Sequence, residues 1–222
     1  MSSNYKNLEL IDKNIIKCEL TFKIIIIGDS FVGKSCLSLK AVNGTFNKLY
    51  SPTVGFEYLN YSVNLDNYKI NLQIWDTCGQ EAYRSLINSF YHSSSLAILV
   101  YSIDSEQSFN NLENWIVNLK KCALPWSKLI LLGNKCDDEE NREVSYEEGK
   151  RIAKKHNLFF FMEVSAKEGF KSPNFLELAA ISLYEDYENN KDDDNDISAT
   201  LMNRTESIML AGTKIKKNDG CC

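Results

Sequence analysis

The chain has 222 residues, 44% of them hydrophobic, and a formal net charge of −5. That length suits one α/β domain of ordinary size with polar ends, and the hydrophobic share is enough for a packed core. The acidic balance, with no basic stripe, excludes general nucleic-acid binding. Seven cysteines, at positions 18, 36, 78, 122, 136, 221 and 222, show neither zinc-ligand spacing nor a disulfide framework, which predicts reduced thiols in a cytosolic protein.

Residues 1–19 read as a polar N-terminal extension, too polar for a signal peptide, and no run of the sequence is long and apolar enough for a transmembrane helix. Phe22–Ile27 is short and β-branched and predicts a central parallel strand. It runs into Gly28-Asp29-Ser30-Phe31-Val32-Gly33-Lys34-Ser35, followed by a predicted helix from Cys36 through Val42. Asn43-Gly44 is a turn signal, and the polar stretch 45–55, with Pro52 inside it, predicts a surface loop. Phe56–Leu65 and Tyr68–Trp75 read as strands joined by Asp66-Asn67, hence an antiparallel hairpin.

Asp76–Ser95 predicts a loop with a short helix, and Leu96–Ile103 a buried strand. Phe109, Leu112, Ile116 and Leu119 fall on one helical face, and Lys128–Leu132 predicts a strand ending at Gly133-Asn134-Lys135. Ser145 and Glu148 form a capping box for a helix to about His156, and Leu158–Val164 is the last predicted strand. Leu176, Ala179, Ala180, Leu183 and Tyr184 define a final amphipathic helix. Beyond Asn189 the composition turns to Asp, Asn, Ser, Thr and Lys, which cannot build a core. Strands alternating with helices predict a mostly parallel sheet covered on both faces, with chemistry in the loops at the carboxyl ends of the strands.

Those loops carry the informative residues. Gly, four residues, then Gly-Lys-Ser between strand and helix aims backbone N–H groups at one point, as phosphate binding requires. Gly33 permits close backbone approach, Lys34 supplies a cation near the outer phosphates, and the Ser35 hydroxyl is a hard ligand for a phosphate-bound Mg²⁺. In Ile74-Trp75-Asp76-Thr77-Cys78-Gly79-Gln80-Glu81, Asp76 can hold Mg²⁺ through a water, the Gly79 N–H can meet a terminal phosphate, and Gln80 can align an attacking water. In Asn134-Lys135-Cys136-Asp137, the Asp137 carboxylate can accept two hydrogen bonds from guanine where adenine offers none. Asn134 can brace that loop, and Lys135 can lie over the ring and ribose. Val164-Ser165-Ala166-Lys167 could bring the Ala166 N–H to the guanine oxygen.

The order GDSFVGKS, Thr53, WDTCGQE, NKCD and VSAK resembles the Ras-like small GTPases over residues 20–187, and within them the Rab family. The tryptophan of IWDT, NK before the base-reading Asp, no added helix near residue 140 and the terminal Cys-Cys carry the narrower resemblance. It implies a P-loop NTPase fold: a six-stranded, mostly parallel sheet with one antiparallel strand, five helices on both faces, and a GTP–GDP switch. Residues 45–56 and 76–93 would be the switch loops. Gly28 to Cys36 would line the phosphates, Phe46 would stack on the guanine, and Tyr50 would cover the phosphates. Thr53 would bind Mg²⁺ and the γ-phosphate only in the GTP state. Ser35, Thr53 and Asp76 form the implied metal set, and Gln80, Lys34 and Thr53 the catalytic set. The stretch Tyr50, Ser51, Pro52, Thr53, Val54, Gly55, Phe56, Glu57 and Tyr58 matches the effector-contact region.

The resemblance further implies partners: an exchange factor, a GTPase-activating protein, a GDP-dissociation inhibitor with prenylation escort machinery, and GTP-state effectors. Residues 188–222 would be a disordered hypervariable tail whose Cys221 and Cys222 carry geranylgeranyl groups. Two lipids anchor stably where one does not, which places the protein on the cytoplasmic face of an intracellular or plasma membrane, with a soluble cytosolic pool. Arg84 is the arginine nearest the motifs and reads as an exposed switch residue, so intrinsic hydrolysis is expected to be slow, raised on the order of 10⁵ by a supplied arginine. Phe31 stands where the family carries a small residue and Cys78 where it carries alanine; the alternative they favour is a hydrolysis-poor, GTP-loaded membrane-recruitment scaffold. A small phosphotransferase on the same loop is opposed by Asn134–Asp137.

Overall fold

In the computed structural model, the described residues are 18–46, 53, 55–77, 94–122, 128–170 and 174–190. The strands are β1 (Cys18–Ile27), β2 (Phe56–Leu65), β3 (Tyr68–Thr77), β4 (Leu96–Ser102), β5 (Lys128–Asn134) and β6 (Phe160–Glu163). The α-helices among the described residues are α1 (Lys34–Asn43), α2 (Glu106–Asn110), α3 (Leu112–Cys122), α4 (Tyr146–Lys155) and α5 (Phe175–Asn190). Contacts divide the chain into two units, Met1–Leu183 and Tyr184–Cys222, and everything concerning the site belongs to the first.

The six strands form one sheet in the order β2-β3-β1-β4-β5-β6. Only β2 runs antiparallel, paired with β3 from Phe56↔Thr77 to Leu65↔Tyr68 across the Asp66-Asn67 turn, where Asp66 takes a left-handed φ of 51°. The other pairings are all parallel. The chain leaves β1 toward β3 on one side and returns to β4 on the other, so the carboxyl end of β1 is the crevice where such sheets bind ligands.

Burial follows the pattern that predicted the elements. Ile24–Ile27 of β1 and every residue of β4 are buried, as strands covered on both faces must be. Strand β2, at the sheet edge, alternates exposed and half-buried residues along its length. Ile25, Leu99, Leu131, Trp115 and Ile116 share one core cluster with Tyr101. Helix α4 opens with the expected capping box: Glu148 N–H donates to Ser145 Oγ, and Ser145 N–H to Glu148 Oε2 at 2.9 Å.

Several boundaries differ from expectation. Strand β1 begins at Cys18, within the stretch read as a polar extension, because Cys18 to Ile26 pairs along β3 from Tyr68 to Asp76. Backbone pairing, not hydrophobicity, extends it. Strand β5 runs on to Asn134, and β6 is shorter than Leu158–Val164. The predicted face of Phe109, Leu112, Ile116 and Leu119 is divided between α2, capped by Ser105, and α3, with Asn111 at the junction. Cys36 follows the true helix start, Lys34, whose N-cap is Gly33.

Candidate functional site

The phosphate-loop candidate turns between β1 and α1 on two glycines. At Gly28, φ is 138° and an added Cβ would lie 2.1 Å from the Val100 carbonyl oxygen, so the strand can pack against β4 only without a side chain. At Gly33, φ is 91° and a Cβ would lie 2.3 Å from Asn134 Nδ2. Lys34, buried, donates from Nζ to the carbonyls of Gly28 at 2.9 Å and Asp29 at 2.6 Å. Two loop carbonyls thereby orient the ammonium. Phe31 adopts a left-handed φ of 66°, and its ring is 82% exposed, standing in solvent.

The metal candidates converge. Ser35 Oγ and Thr53 Oγ1 lie 2.7 Å apart, although 18 positions separate them. Asp76, at the end of β3, is fully buried, and neither of its carboxylate oxygens has a hydrogen-bond partner among the described residues. Burial pushes its carboxyl up to about 6; the nearby Ser35 hydroxyl and Lys34 ammonium offset this only in part. A buried, unpartnered carboxylate beside two hydroxyls is a poor arrangement for an empty interior and a suitable one for a hard divalent cation with oxygen ligands. Among the described residues, no group of three or more His, Cys, Asp or Glu could hold a metal, so hydroxyls and phosphate would complete the set.

The base-end candidates follow β5 and β6. Asn134, buried, donates from Nδ2 to the Val32 carbonyl at 2.8 Å and accepts at Oδ1 from the Ala166 N–H at 3.3 Å. It therefore joins the phosphate loop to the loop after β6. Asp137 accepts from Ser165 Oγ at 2.6 Å and from Lys167 Nζ at 3.1 Å. Burial raises the Asp137 pKa, but those two bonds together with a backbone hydrogen bond and the Lys167 charge outweigh it and hold the carboxyl below the ordinary range. Ser165 Oγ in turn accepts from the Glu168 N–H at 2.9 Å, fixing the loop.

Two groups expected at the base have partners within the chain. The Ala166 N–H, expected at the guanine oxygen, is directed to Asn134 Oδ1. Lys135, expected over the base and ribose, takes a left-handed φ of 66° and places Nζ 2.9 Å from Asp104 Oδ2. Phe46 is described and 38% exposed, and Cys36 is half-buried. Tyr50, Ser51, Pro52, Val54, Cys78, Gly79, Gln80, Arg84, Cys221 and Cys222 lie outside the described residues, as do the extension 1–17 and the tail from 191. In the effector stretch, the rings of Phe56 and Tyr58 stand 5.1 and 5.5 Å from that of Trp75.

Some participants escaped the sequence reading. Asp104, which lies outside the motifs, accepts from Lys135, and Asn111 and Trp115 hold the Asp29 carboxylate. The signal for Asp104 is its place after β4, in register with β5 through Ser102↔Asn134.

The profile of the Ras family matches residues 23–185. The chain belongs to the Ras family of small GTPases. Ras-related protein Rab-13 of Rattus norvegicus is 41% identical over 146 residues, covering 66% of this chain and 71% of that protein, and Rab-13 of Bos taurus aligns equally. Ras-related protein SEC4 of Candida albicans (strain WO-1) is 38% identical over 164 residues, 73% of this chain and 78% of that protein. These likenesses make it a Rab-type member of the family, and guanine-nucleotide binding goes with that family.

Proposed function

We propose that this Rab-type GTPase is a membrane-trafficking switch that binds GTP or GDP with Mg²⁺, hydrolyses GTP slowly, and recruits effectors in the GTP state. The observation that carries the reading is the meeting of Ser35 and Thr53 at 2.7 Å beside the buried, unpartnered Asp76. Thr53 belongs to the polar loop before β2, so a ligand at Ser35 and Asp76 acts directly on that loop. Mg²⁺, when bound, would supply charge neutralisation for phosphoryl transfer. Ser35 and Asp76 would hold it, with Thr53 joining when a γ-phosphate is present.

This chain's own residues account for the rest. Gly28 and Asp29 carbonyls aim Lys34 at the phosphates. Asn134 keeps the phosphate end and the base end at fixed separation, and Asp137 reads the base edge. Gln80 orients the water, and Gly79 reports the terminal phosphate by its N–H. Loops that gain hydrogen bonds only with GTP are ordered by it and released by hydrolysis.

Membrane attachment is assigned to geranylgeranylated Cys221 and Cys222, a pair of thiols that could carry the two lipids stable anchoring needs. An exchange factor, an activating protein, a dissociation inhibitor with escort machinery and effectors are the expected partners. Single-turnover hydrolysis of [γ-³²P]GTP, with and without cell lysate, tests the switch. Slow turnover that lysate accelerates supports it; none under either condition favours the static scaffold. Retained membrane partition of Cys221→Ser/Cys222→Ser would refute the anchor.

A further inference from the structure

A carboxylate within a phosphate-binding loop is electrostatically misplaced unless its charge is taken up elsewhere. Asp29 is such a group, and its charge is taken up by the helix junction behind the loop. Its Oδ2 accepts from Asn111 Nδ2 at 2.6 Å, and its Oδ1 accepts from Trp115 Nε1 at 2.7 Å. The two donors are four positions apart, which puts them on one side of a helix turn. The Trp115 backbone N–H donates to the Asn111 carbonyl at 3.2 Å, tying the two donors together. Trp115 is 4% exposed and packs in the core cluster with Ile25, Leu99 and Ile116, so its indole N–H has a position set by packing.

The same Asp29 presents its backbone carbonyl to Lys34 Nζ at 2.6 Å. Gly28, directly before it, is seated against the Val100 carbonyl with no room for a side chain. The Gly28-Asp29 segment is thus held from two directions: by close packing at Gly28 and by two hydrogen bonds at the Asp29 side chain. The ammonium that follows these carbonyls is oriented before any phosphate arrives, which is preorganisation of a charged binding group.

We propose that Asn111 and Trp115 are positioning residues for nucleotide phosphates: acting through Asp29, they fix the carbonyls that aim Lys34. The inference rests on the guanine-nucleotide reading of the site and adds a phosphate-specific clamp outside its motifs. Asn111 and Trp115 act through the Asp29 carboxylate, so their effect passes through the loop. The clamp therefore acts on ligands in proportion to their outer phosphates and leaves base recognition by Asp137 untouched.

The full chain with Mg²⁺ is tested by GDP release and by competition affinities for GDP and GMP. Trp115→Phe keeps a buried ring and deletes the N–H; Asn111→Asp sets a carboxylate against Asp29. Each speeds GDP release on the order of tenfold, as expected for a hydrogen bond to a charged group, while GMP affinity moves less than about twofold. The double variant Asp29→Asn/Asn111→Asp exchanges donor and acceptor at constant net charge and returns release to within about threefold of wild type. Release within about twofold of wild type in the single variants overturns the clamp, as does equal weakening of GDP and GMP, which a merely structural role would produce. The Asn111 arm decides the matter whether or not Trp115→Phe folds. A wild-type chain that holds no GDP overturns the guanine-nucleotide reading itself, and the clamp with it.

Discussion

Asn134 Nδ2 donates to the Val32 carbonyl at 2.8 Å, joining residues 102 positions apart. Through that bond and the one from Ala166, a single buried amide sets the distance between the phosphate loop and the base-reading loops. Asn134→Ala removes both and leaves the Val32 carbonyl without this partner. The expected result is a stability loss of about 2 kcal/mol and GDP affinity reduced about tenfold or more. Thermal unfolding and nucleotide titration check the two effects separately.

The glycines differ in what they tolerate. Gly28→Ala would drive Cβ into the backbone of Val100, which cannot move without dislodging β4, and costs about 3 kcal/mol or more. Gly33→Ala would meet a side chain, Asn134, which can rotate away only by breaking the bridge just described. Gly28→Ala therefore lowers the melting temperature more strongly, whereas Gly33→Ala lowers it by about as much as Asn134→Ala does and also weakens nucleotide binding. Melting curves and GDP titrations of the pair distinguish these outcomes.

Phe31 holds a left-handed backbone, and its ring, 82% exposed, gains little burial in return. Left-handed geometry costs an L-residue roughly 1–2 kcal/mol, while glycine loses about 0.5–1 kcal/mol more backbone entropy on folding. The difference predicts that Phe31→Gly is neutral or stabilising by up to about 1 kcal/mol. Chemical denaturation measures it; a clear destabilisation would show that the ring is held by something the exposure does not suggest.

Arg142 forks onto two carboxylates of unequal worth. It meets Glu163 through two bonds of 2.8 Å, with that carboxylate side chain 11% exposed, and it also meets Glu139, 65% exposed. Removing Arg142 strands Glu163 just before the Ser165 loop, at a cost of about 2 kcal/mol, below the full range for a buried pair because Arg142 retains partial exposure. Glu139→Gln should cost less than about 0.5 kcal/mol. Denaturation of Arg142→Ala beside Glu139→Gln provides the comparison.

Acid stability follows from Asp104 and Asp137. Burial raises both, but hydrogen bonds outweigh it: Lys135 and Ser102 at Asp104, Ser165 and Lys167 at Asp137, so both lie below the ordinary 3.8. A carboxyl depressed in the folded state contributes stability that is fully present above its unfolded value and lost as pH falls through the folded one. Melting temperature should therefore drop as pH falls through and below 3.8, and Asp104→Asn should flatten part of that drop in a melting series.

The motifs themselves were legible because each is local: a turn that needs glycine, a strand that ends in a carboxylate, a capping box. The sheet followed from β-branched runs and one hairpin. What was not legible depends on contacts between distant segments. Glu19 and Thr21 look polar and become strand only because β3 lies alongside. The break at Asn111 interrupts an apolar period that looked continuous. Asp29 reaches Asn111 and Trp115 across 82 and 86 positions, and no local pattern announces such a bond. The pairing of Lys135 with Asp104, 31 positions away on the neighbouring strand end, has no local signal either.

The central claim is that this site selects a guanine nucleotide with its phosphates on Lys34 and Mg²⁺. Titration of the full chain with GDP and ADP, each with Mg²⁺ and with EDTA, tests it most directly. GDP should bind tightly and lose affinity when EDTA removes the metal, with ADP about 10⁴-fold weaker, because adenine leaves the Asp137 carboxylate unmatched. Equal affinity for the two nucleotides, or GDP binding indifferent to EDTA, would contradict the account.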